Sequence, residues 1–141
     1  MSLNVLVVDD SAVMRSMIIK VLRLCGVPLS EIYEAANGEE GLRAINEHWI
    51  DLALVDINMP IMTGDEMIDR VRRGPDTKDL PVIVVSTESS ESRIEMLKRQ
   101  GAGFVHKPFS PEILRETITG LTGVSDEQSG DGAVPSGGYD F

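Results

Sequence analysis

The sequence predicts one α/β domain in which a five-stranded parallel sheet carries helices on both faces. Five short apolar runs alternate along the chain with five segments of helical periodicity, which is the order that successive βα units produce. Two of the runs, 5–8 and 82–85, are apolar at every position, as expected of strands that are buried on both faces. A length of 141 residues suits one domain with a single sizeable core.

The predicted strands are short and rich in branched side chains, which favour extended backbone. They are residues 5–8, 32–35, Leu52–Val55, 82–85 and 103–105.

The helices between the strands are predicted from periodic apolar positions and from capping residues. In the first helix the predicted inward face consists of Val13, Met14, Met17, Ile18, Val21 and Cys25, with Arg15, Lys20 and Arg23 off that face. Asn37 and Glu40 resemble a capping box at the start of the second helix, which carries Leu42 and Ile45.

Similar patterns predict the other three helices. Met67, Ile68 and Val71 mark the third, and Ile94 with Leu97 marks the fourth, which ends before Gly101. Ser110 and Pro111 supply an N-cap and a first-turn proline for the fifth, whose predicted inward residues are Ile113, Leu114, Ile118 and Leu121.

Composition excludes several classes of protein. The net charge of −10 argues against a nucleic-acid-binding protein, because phosphate contacts need a basic face. No apolar run is long enough to cross a bilayer, and no signal peptide is evident, so no membrane association is expected. The single cysteine, Cys25, cannot form an internal disulfide, and this favours the cytoplasm as the location of the protein. Cys25 is predicted to be a buried thiol. Residues 124–141 are rich in acid, glycine and serine, so they are predicted to be a flexible tail after a domain of residues 1–123.

Polar side chains follow four of the five predicted strands. Asp9-Asp10 follows the first strand, Asp56 the third, Ser86 the fourth and Lys107 the fifth. The carboxyl ends of parallel strands meet at one edge of the sheet, where the functional cleft of such folds lies. Clustered carboxylates either take up protons or bind a cation, and an all-oxygen ligand set suits Mg²⁺.

These segments together resemble the receiver domain of two-component response regulators, and most of all its chemotaxis CheY branch. The motifs that carry the resemblance are VVDDSAVMR, DINMPIMTG, VVSTES and KPFSPE, which are specific as an ordered set at successive strand ends. The resemblance covers roughly residues 3–121 and implies a flavodoxin-like doubly wound (βα)5 fold with strand order 2-1-3-4-5.

The resemblance implies that Asp56 is the phosphoacceptor, which attacks a kinase phosphohistidine or a small acyl phosphate. Lys107 then pairs with one phosphoryl oxygen and the Ser86 hydroxyl donates to another. A cis Lys107–Pro108 bond is also expected, because such a turn directs the lysine over Asp56.

The same resemblance implies a Mg²⁺ site beside the phosphoacceptor. Its protein ligands are Asp9 and Asp10, directly or through water, together with Asp56 and the backbone carbonyl of Asn58. The cation offsets the charge on both the nucleophile and the phosphoryl group.

Two further sets of residues follow from the resemblance. Ser86 and Phe104 form the predicted switch, and Phe104 is expected to favour an inward rotamer because it lacks the phenol oxygen of the tyrosine common at this place. Asn58, Thr87 and Glu88 are expected to tune dephosphorylation. The Asn58–Glu88 pair leaves room for an attacking water, whereas the β-branched Thr87 narrows the approach.

Three other classes of protein share some of these features. A phosphohydrolase of the haloacid-dehalogenase type also uses an aspartate nucleophile and Mg²⁺, but it needs an acid two positions after the nucleophile, where this chain has Ala12 and Asn58. A flavodoxin would have a glycine- and hydroxyl-rich phosphate loop instead of DDSAVMR. A degenerate receiver would lack one of the strand-end side chains, and all of them are present. The chain is therefore expected to be a phosphoacceptor and not a turnover enzyme.

The expected partners are proteins. After the last predicted helix only the acidic tail remains, so a single-domain regulator that signals by protein contact is expected, in chemotaxis or, as the alternative, as a phosphorelay shuttle. The resemblance implies a CheA-like sensor histidine kinase, a downstream target such as a flagellar motor switch protein that binds residues 91–121, and a phosphatase as a further partner.

Overall fold

A computed structural model describes residues 2–87 and 90–124 of the chain. Five strands and five helices alternate along it. The strands are β1 (Leu3–Val8), β2 (Leu29–Ala35), β3 (Leu52–Val55), β4 (Val82–Ser86) and β5 (Gly103–His106). The helices are α1 (Ala12–Leu24), α2 (Gly38–Glu47), α3 (Gly64–Arg73), α4 (Glu91–Arg99) and α5 (Pro111–Thr122).

The five strands form one parallel sheet in the order β2-β1-β3-β4-β5. This confirms the predicted fold class and strand order. Four strands are longer than predicted. β1 and β2 begin two and three residues earlier, since Leu3 pairs with Leu29, and β4 and β5 each continue one residue further.

Two apolar clusters cover the two faces of the sheet. One contains Leu6, Val8, Val55 and Val84 and packs against Met67, Ile68 and Leu97 of α3 and α4. The other contains Val5, Val7, Leu54 and Val85 and packs against Ile18, Leu22, Leu114 and Ile118 of α1 and α5. Burial of both faces explains why the central strands read as continuous apolar runs.

The inward face of α1 is rotated from the predicted one. Val13 and Met17 are 72% and 56% exposed, so their assignment to the core is wrong, whereas Ile18, Leu22 and Cys25 are buried. On α5, Ile113 is likewise 50% exposed. In both helices the apolar stripe is wider than the contact made with the sheet, and periodicity alone cannot show which edge of such a stripe is covered.

The capping predictions are partly right. Asn37 caps α2 by accepting a hydrogen bond from the Glu40 N–H, but the Glu40 carboxylate accepts from the N–H of Ala36, not of Asn37. A complete capping box occurs instead at α3, between Thr63 and Glu66. Ser110 and Pro111 begin α5 as predicted.

Arg72 connects three segments near the amino ends of β4 and β5, at the opposite end of the sheet from the strand-end aspartates. Its Nε donates to the carbonyl of Gln100 at 2.6 Å, and its Nη1 donates to the carbonyls of Lys78 and Leu80 at 3.1 and 2.7 Å. Partial burial lowers the pKa of Arg72 from its ordinary value, and nearby Asp79 opposes that effect. The guanidinium thus joins the end of α3 to the residues before β4 and to the end of α4.

Across residues 2–87 and 90–124, no helix has the length and apolar character needed to span a membrane. The predicted acidic tail lies outside the described residues, apart from its first residue, Val124.

Candidate phosphoacceptor site

Three carboxylates meet at the carboxyl ends of β1 and β3, as predicted. Asp9 and Asp10 follow β1, and Asp56 follows β3. The two strands are neighbours, and the Asp56 N–H donates to the Val8 carbonyl at 2.9 Å. One carboxylate oxygen from each aspartate lies within 4.8 Å of those from the other two.

Asp9 is the most constrained of the three. It is 2% exposed, and its backbone N–H donates to the Ala35 carbonyl on β2 at 3.1 Å. Its Oδ1 accepts from the N–H of Ser11 at 2.9 Å, and its Oδ2 lies 3.4 Å from the Lys107 Nζ. Asp10, in contrast, is exposed, so the cluster is open to solvent on its side.

Lys107 reaches the cluster from the end of β5. Its side chain is 15% exposed and forms an ion pair with Asp9. The Lys107 N–H donates to the Ser86 carbonyl at 2.8 Å, which connects the ends of β4 and β5. The Lys107–Pro108 bond is cis, which confirms that prediction. The ammonium therefore contacts the cluster at Asp9 and offsets part of its negative charge, including that of Asp56.

Burial raises the pKa of Asp56 above its ordinary value of 3.8. The charges of Asp9 and Asp10 raise the pKa further, whereas Lys107 and the backbone N–H of Asn58 lower it. The ionised Asp56 carboxylate is therefore held in an unfavourable environment that a nearby cation would relieve.

Phosphorylation by a small acyl phosphate should slow as the pH falls through this raised pKa, because only the carboxylate form of Asp56 is nucleophilic.

The folding stability should increase as the pH falls through the same range. The folded protein holds its Asp56 proton to higher pH than the unfolded chain does, so stability falls as pH rises from 3.8 through the folded-state pKa. Without divalent cations, Asp56→Asn should therefore unfold at a higher temperature than the wild type at neutral pH. Thermal unfolding across pH measures this difference, and a difference that persists unchanged below pH 3.8 would contradict the assigned cause.

The loop between β3 and α3 passes very close to its own start. The Gly64 N–H donates to the Ile57 carbonyl at 2.8 Å, and a Cβ on Gly64 would lie 2.8 Å from the Ile57 Cα and still nearer the Asp56 carbonyl. Only glycine fits there. Asn58, the predicted carbonyl ligand, is an exposed residue of this loop.

Ile61, in the same loop, has a φ of 69° and is 72% exposed. A left-handed backbone costs a β-branched residue roughly 1–2 kcal/mol, and asparagine adopts it more readily. Ile61→Asn should therefore raise the free energy of unfolding by about 1 kcal/mol, since little buried apolar area is lost. Urea unfolding measures the change. Ile113→Asn, at a half-exposed position in α5, is the matched control and should not stabilise the protein.

The predicted switch residues lie on β4 and β5. Ser86 is buried at the end of β4 and pairs with His106 in the sheet. Phe104 is half-buried and packs against the cluster on the α3–α4 side, with its ring 6.4 Å from that of His106. Thr87 is exposed, and Glu88 lies outside the described residues. The switching and tuning roles of these residues remain predictions.

The donor set fits Mg²⁺. Oxygen ligands on opposite sides of an octahedral Mg²⁺ are about 4 Å apart, so carboxylates at the observed spacing suit direct or water-mediated binding. The excess of negative charge, with Asp10 facing solvent, also favours a cation. Asp9, Asp10 and Asp56 would hold it, with the Asn58 carbonyl as a predicted fourth ligand.

A family model of the response regulator receiver domain matches residues 5–119. The chain belongs to the response regulator receiver domain family. The match begins within β1, at Val5, and ends within α5. It includes all three aspartates of the cluster. The domain is of the CheY type, as the curated relatives indicate.

Several of those relatives are chemotaxis proteins. A CheY homologue of Campylobacter jejuni is 34% identical over 135 residues, which cover 94% of this chain and 99% of that protein. CheY of Pseudomonas aeruginosa is 34% identical over 117 residues, with coverage of 82% and 93%. The receiver is not confined to chemotaxis proteins, since the sensor kinase/phosphatase LuxN of Vibrio harveyi is 31% identical over 116 residues, 13% of its length.

Solved structures show the same fold. Chemotaxis protein CheY4 of Vibrio cholerae superposes with a TM-score of 0.75 at 35% identity, covering 86% of this chain and 99% of that one. A putative response regulator from Chloroflexus aurantiacus gives 0.78 at 30% identity, covering 87% and 99%. CheY-like receiver domains interact with histidine kinases and with downstream targets.

Two features near the site were missed from sequence. Arg15 was assigned only to the outer face of α1, and Ile61 was not singled out. The contacts of Arg15 join residues far apart in the chain, and no sequence pattern marked Ile61, since isoleucine rarely adopts a left-handed backbone.

Proposed function

We propose that the protein is a Mg²⁺-dependent response regulator that a sensor histidine kinase phosphorylates on Asp56. The observation that carries this proposal is the meeting of three carboxylates and the Lys107 ammonium at the carboxyl ends of β1, β3 and β5. Membership of the receiver family supports it.

In the proposed reaction an oxygen of the Asp56 carboxylate attacks the phosphorus of a phosphohistidine. The O–P bond forms as the P–N bond breaks, and the imidazole leaves. Bound Mg²⁺ would supply charge neutralisation at the nucleophile and the phosphoryl oxygens. Lys107, already within 3.4 Å of Asp9, would pair with a phosphoryl oxygen, and Ser86 would donate to another.

The protein is proposed to act in the cytoplasm and to signal by protein contact, through a surface within residues 91–121. Chemotaxis is the favoured context because the chain spans 99% of the Campylobacter CheY homologue and 93% of the Pseudomonas CheY. A role in a phosphorelay is the alternative. The similarity of the chain to a segment of the sensor kinase/phosphatase LuxN supports this alternative.

The proposal predicts stoichiometric labelling without turnover. Incubation with acetyl phosphate and Mg²⁺ should add one phosphoryl group per chain by intact mass, and chelation of the metal should prevent this. Glycerol phosphate should not be hydrolysed continuously, because no acid stands two residues after Asp56 to protonate its alkoxide leaving group. Steady hydrolysis of that ester without a stable adduct would favour a phosphohydrolase instead.

Asn58 and Thr87, both exposed beside the strand ends, set the predicted lifetime of the phosphoryl group. Asn58→Lys should slow its loss several-fold, because a long basic side chain would obstruct the path of the attacking water. Thr87→Ala should speed the loss by a smaller factor, since it removes a β-branched side chain beside that path. A decay time course of the phosphorylated proteins measures both. If the wild-type phosphoryl group decays slowly and only Thr87→Ala accelerates the decay, Thr87 has a larger effect on the lifetime than Asn58, which would contradict this prediction.

A further inference from the structure

The Arg15 side chain is largely buried beside the aspartate cluster, whereas the other basic side chains of α1 are exposed. It is 16% exposed, whereas Lys20 and Arg23 lie on the exposed face of the helix. Its Nη1 donates to the backbone carbonyl of Asp9 at 2.6 Å, and its Nε donates to the Glu34 carboxylate on β2 at 2.9 Å. Arginine can make both bonds at once because its donors form a rigid planar fork.

The carbonyl that Arg15 holds belongs to the peptide bond between Asp9 and Asp10. The plane of this peptide fixes the Asp10 N and Cα, the atoms from which the Asp10 side chain leaves the backbone. Among the described residues none donates a hydrogen bond to the Asp10 carboxylate, whereas both oxygens of the Asp9 carboxylate have partners. The direction of Asp10 therefore depends on the backbone, and Arg15 fixes that backbone at the preceding carbonyl.

Glu34 keeps the guanidinium in place from the other side. The Arg15–Glu34 contact joins α1 to the edge strand β2, so the arginine cannot turn away from the loop without losing a charge-assisted hydrogen bond. The positive charge of Arg15 by itself disfavours a cation beside it, so a contribution of Arg15 to cation affinity would come from positioning and not from charge.

We propose that Arg15 is a positioning residue, which holds the Asp9–Asp10 peptide so that the Asp10 carboxylate faces the cation and Asp56. Arg15 touches neither the cation nor the phosphoryl group and acts through Asp10. The proposal rests on the proposed function for the identity of the cation and of the reaction. Residues that orient metal ligands in this way typically contribute about 10- to 100-fold to metal affinity.

The test measures Mg²⁺ binding by calorimetry, separately from phosphorylation. Arg15→Ala should weaken Mg²⁺ binding by about tenfold. Arg15→Lys should recover part of the affinity, because an ammonium can reach one of the two acceptors but does not reproduce the fork. Glu34→Gln should have a smaller effect than Arg15→Ala, since it leaves the bond to the Asp9 carbonyl. Arg23→Ala, which removes an exposed charge from the same helix, is the matched control and should leave the affinity unchanged.

Phosphorylation by acetyl phosphate provides the second readout. Raising the Mg²⁺ concentration should restore most of the Arg15→Ala rate, because the defect lies in holding the cation and not in the nucleophile. If Arg15→Ala lowers only the unfolding temperature and Mg²⁺ affinity matches that of Arg23→Ala, Arg15 is merely structural and the proposal is overturned. If Arg15→Ala does not fold, the affinities of Arg15→Lys and Glu34→Gln decide the matter in the same way.

The two proposals fail differently. A wild-type protein that binds Mg²⁺ but takes up no phosphoryl group would refute the proposed function, while the calorimetric comparison would still report on Arg15. Normal phosphorylation with equal Mg²⁺ affinity in all variants would refute the positioning role alone.

Discussion

The Asp56→Asn protein should take up no phosphoryl group from acetyl phosphate in Mg²⁺, a loss of about 100-fold or more in labelling rate. An amide oxygen is a poor nucleophile at phosphorus, and the amide also removes one charged ligand from the cation site. The substitution keeps the shape of the side chain, so the buried end of β3 should pack as before. Intact mass after incubation with the phosphodonor measures the outcome.

Asp69→Asn is the matched control for that experiment. It makes the same chemical change on α3, where the Asp69 carboxylate is 41% exposed and pairs with Arg73 at 2.9 Å. Labelling of this variant should equal that of the wild type. Undiminished labelling of Asp56→Asn would show that another residue accepts the phosphoryl group.

Arg72→Ala should lower the free energy of unfolding by about 3 kcal/mol, because it leaves the partly buried carbonyls of Gln100 and Leu80, and the exposed carbonyl of Lys78, without their charged donor. Lysine should recover only part of the loss, since one ammonium cannot reproduce the arginine fork. Urea unfolding with an unchanged m-value measures the effect as a change of stability.

Arg73→Ala is the control for Arg72→Ala. The Arg73 side chain is 78% exposed and makes one ion pair along its own helix, which is worth about 0.5 kcal/mol at most. Equal losses from the two substitutions would show that the contacts of Arg72 with Gln100, Lys78 and Leu80 do not carry the stabilisation.

The order of elements was predictable because it depends on local sequence. Each βα unit shows its own change from an apolar run to a 3.6-residue period, and the caps at Asn37 and Ser110 mark helix starts. The order of the strands was not predictable from these patterns. It came from the family resemblance, because strand pairing is a long-range property.

The errors in the predicted core share a physical cause. Val13, Met17 and Ile113 fit the apolar period of their helices yet lie on exposed edges, because the covered width of a helix depends on how its neighbours pack. The early start of β2 was missed because Ser30 and Glu31 are polar, as residues of an edge strand can be, and that of β1 because the polar Asn4 interrupts its apolar run.

The acidic cluster was predictable, but the contacts that the basic residues make around it were not. Asp9, Asp10 and Asp56 follow β1 and β3, whose adjacency the family resemblance implied, and the carboxyl ends of adjacent parallel strands lie together. The contacts of Lys107 with Asp9 and of Arg15 with Glu34 depend on side-chain directions across 98 and 19 residues of sequence. Periodicity and motif spacing do not contain that information.

The most direct test of Asp56 as the phosphoacceptor is to locate the phosphoryl group in the wild-type protein. After labelling with acetyl phosphate in Mg²⁺, proteolysis and tandem mass spectrometry assign the modified residue. Asp56 should be the one modified residue, and no labelling should occur when the metal is chelated. Modification of Asp9, Asp10 or Ser86 instead, or labelling of Asp56 that is equally fast without divalent metal, would contradict this prediction.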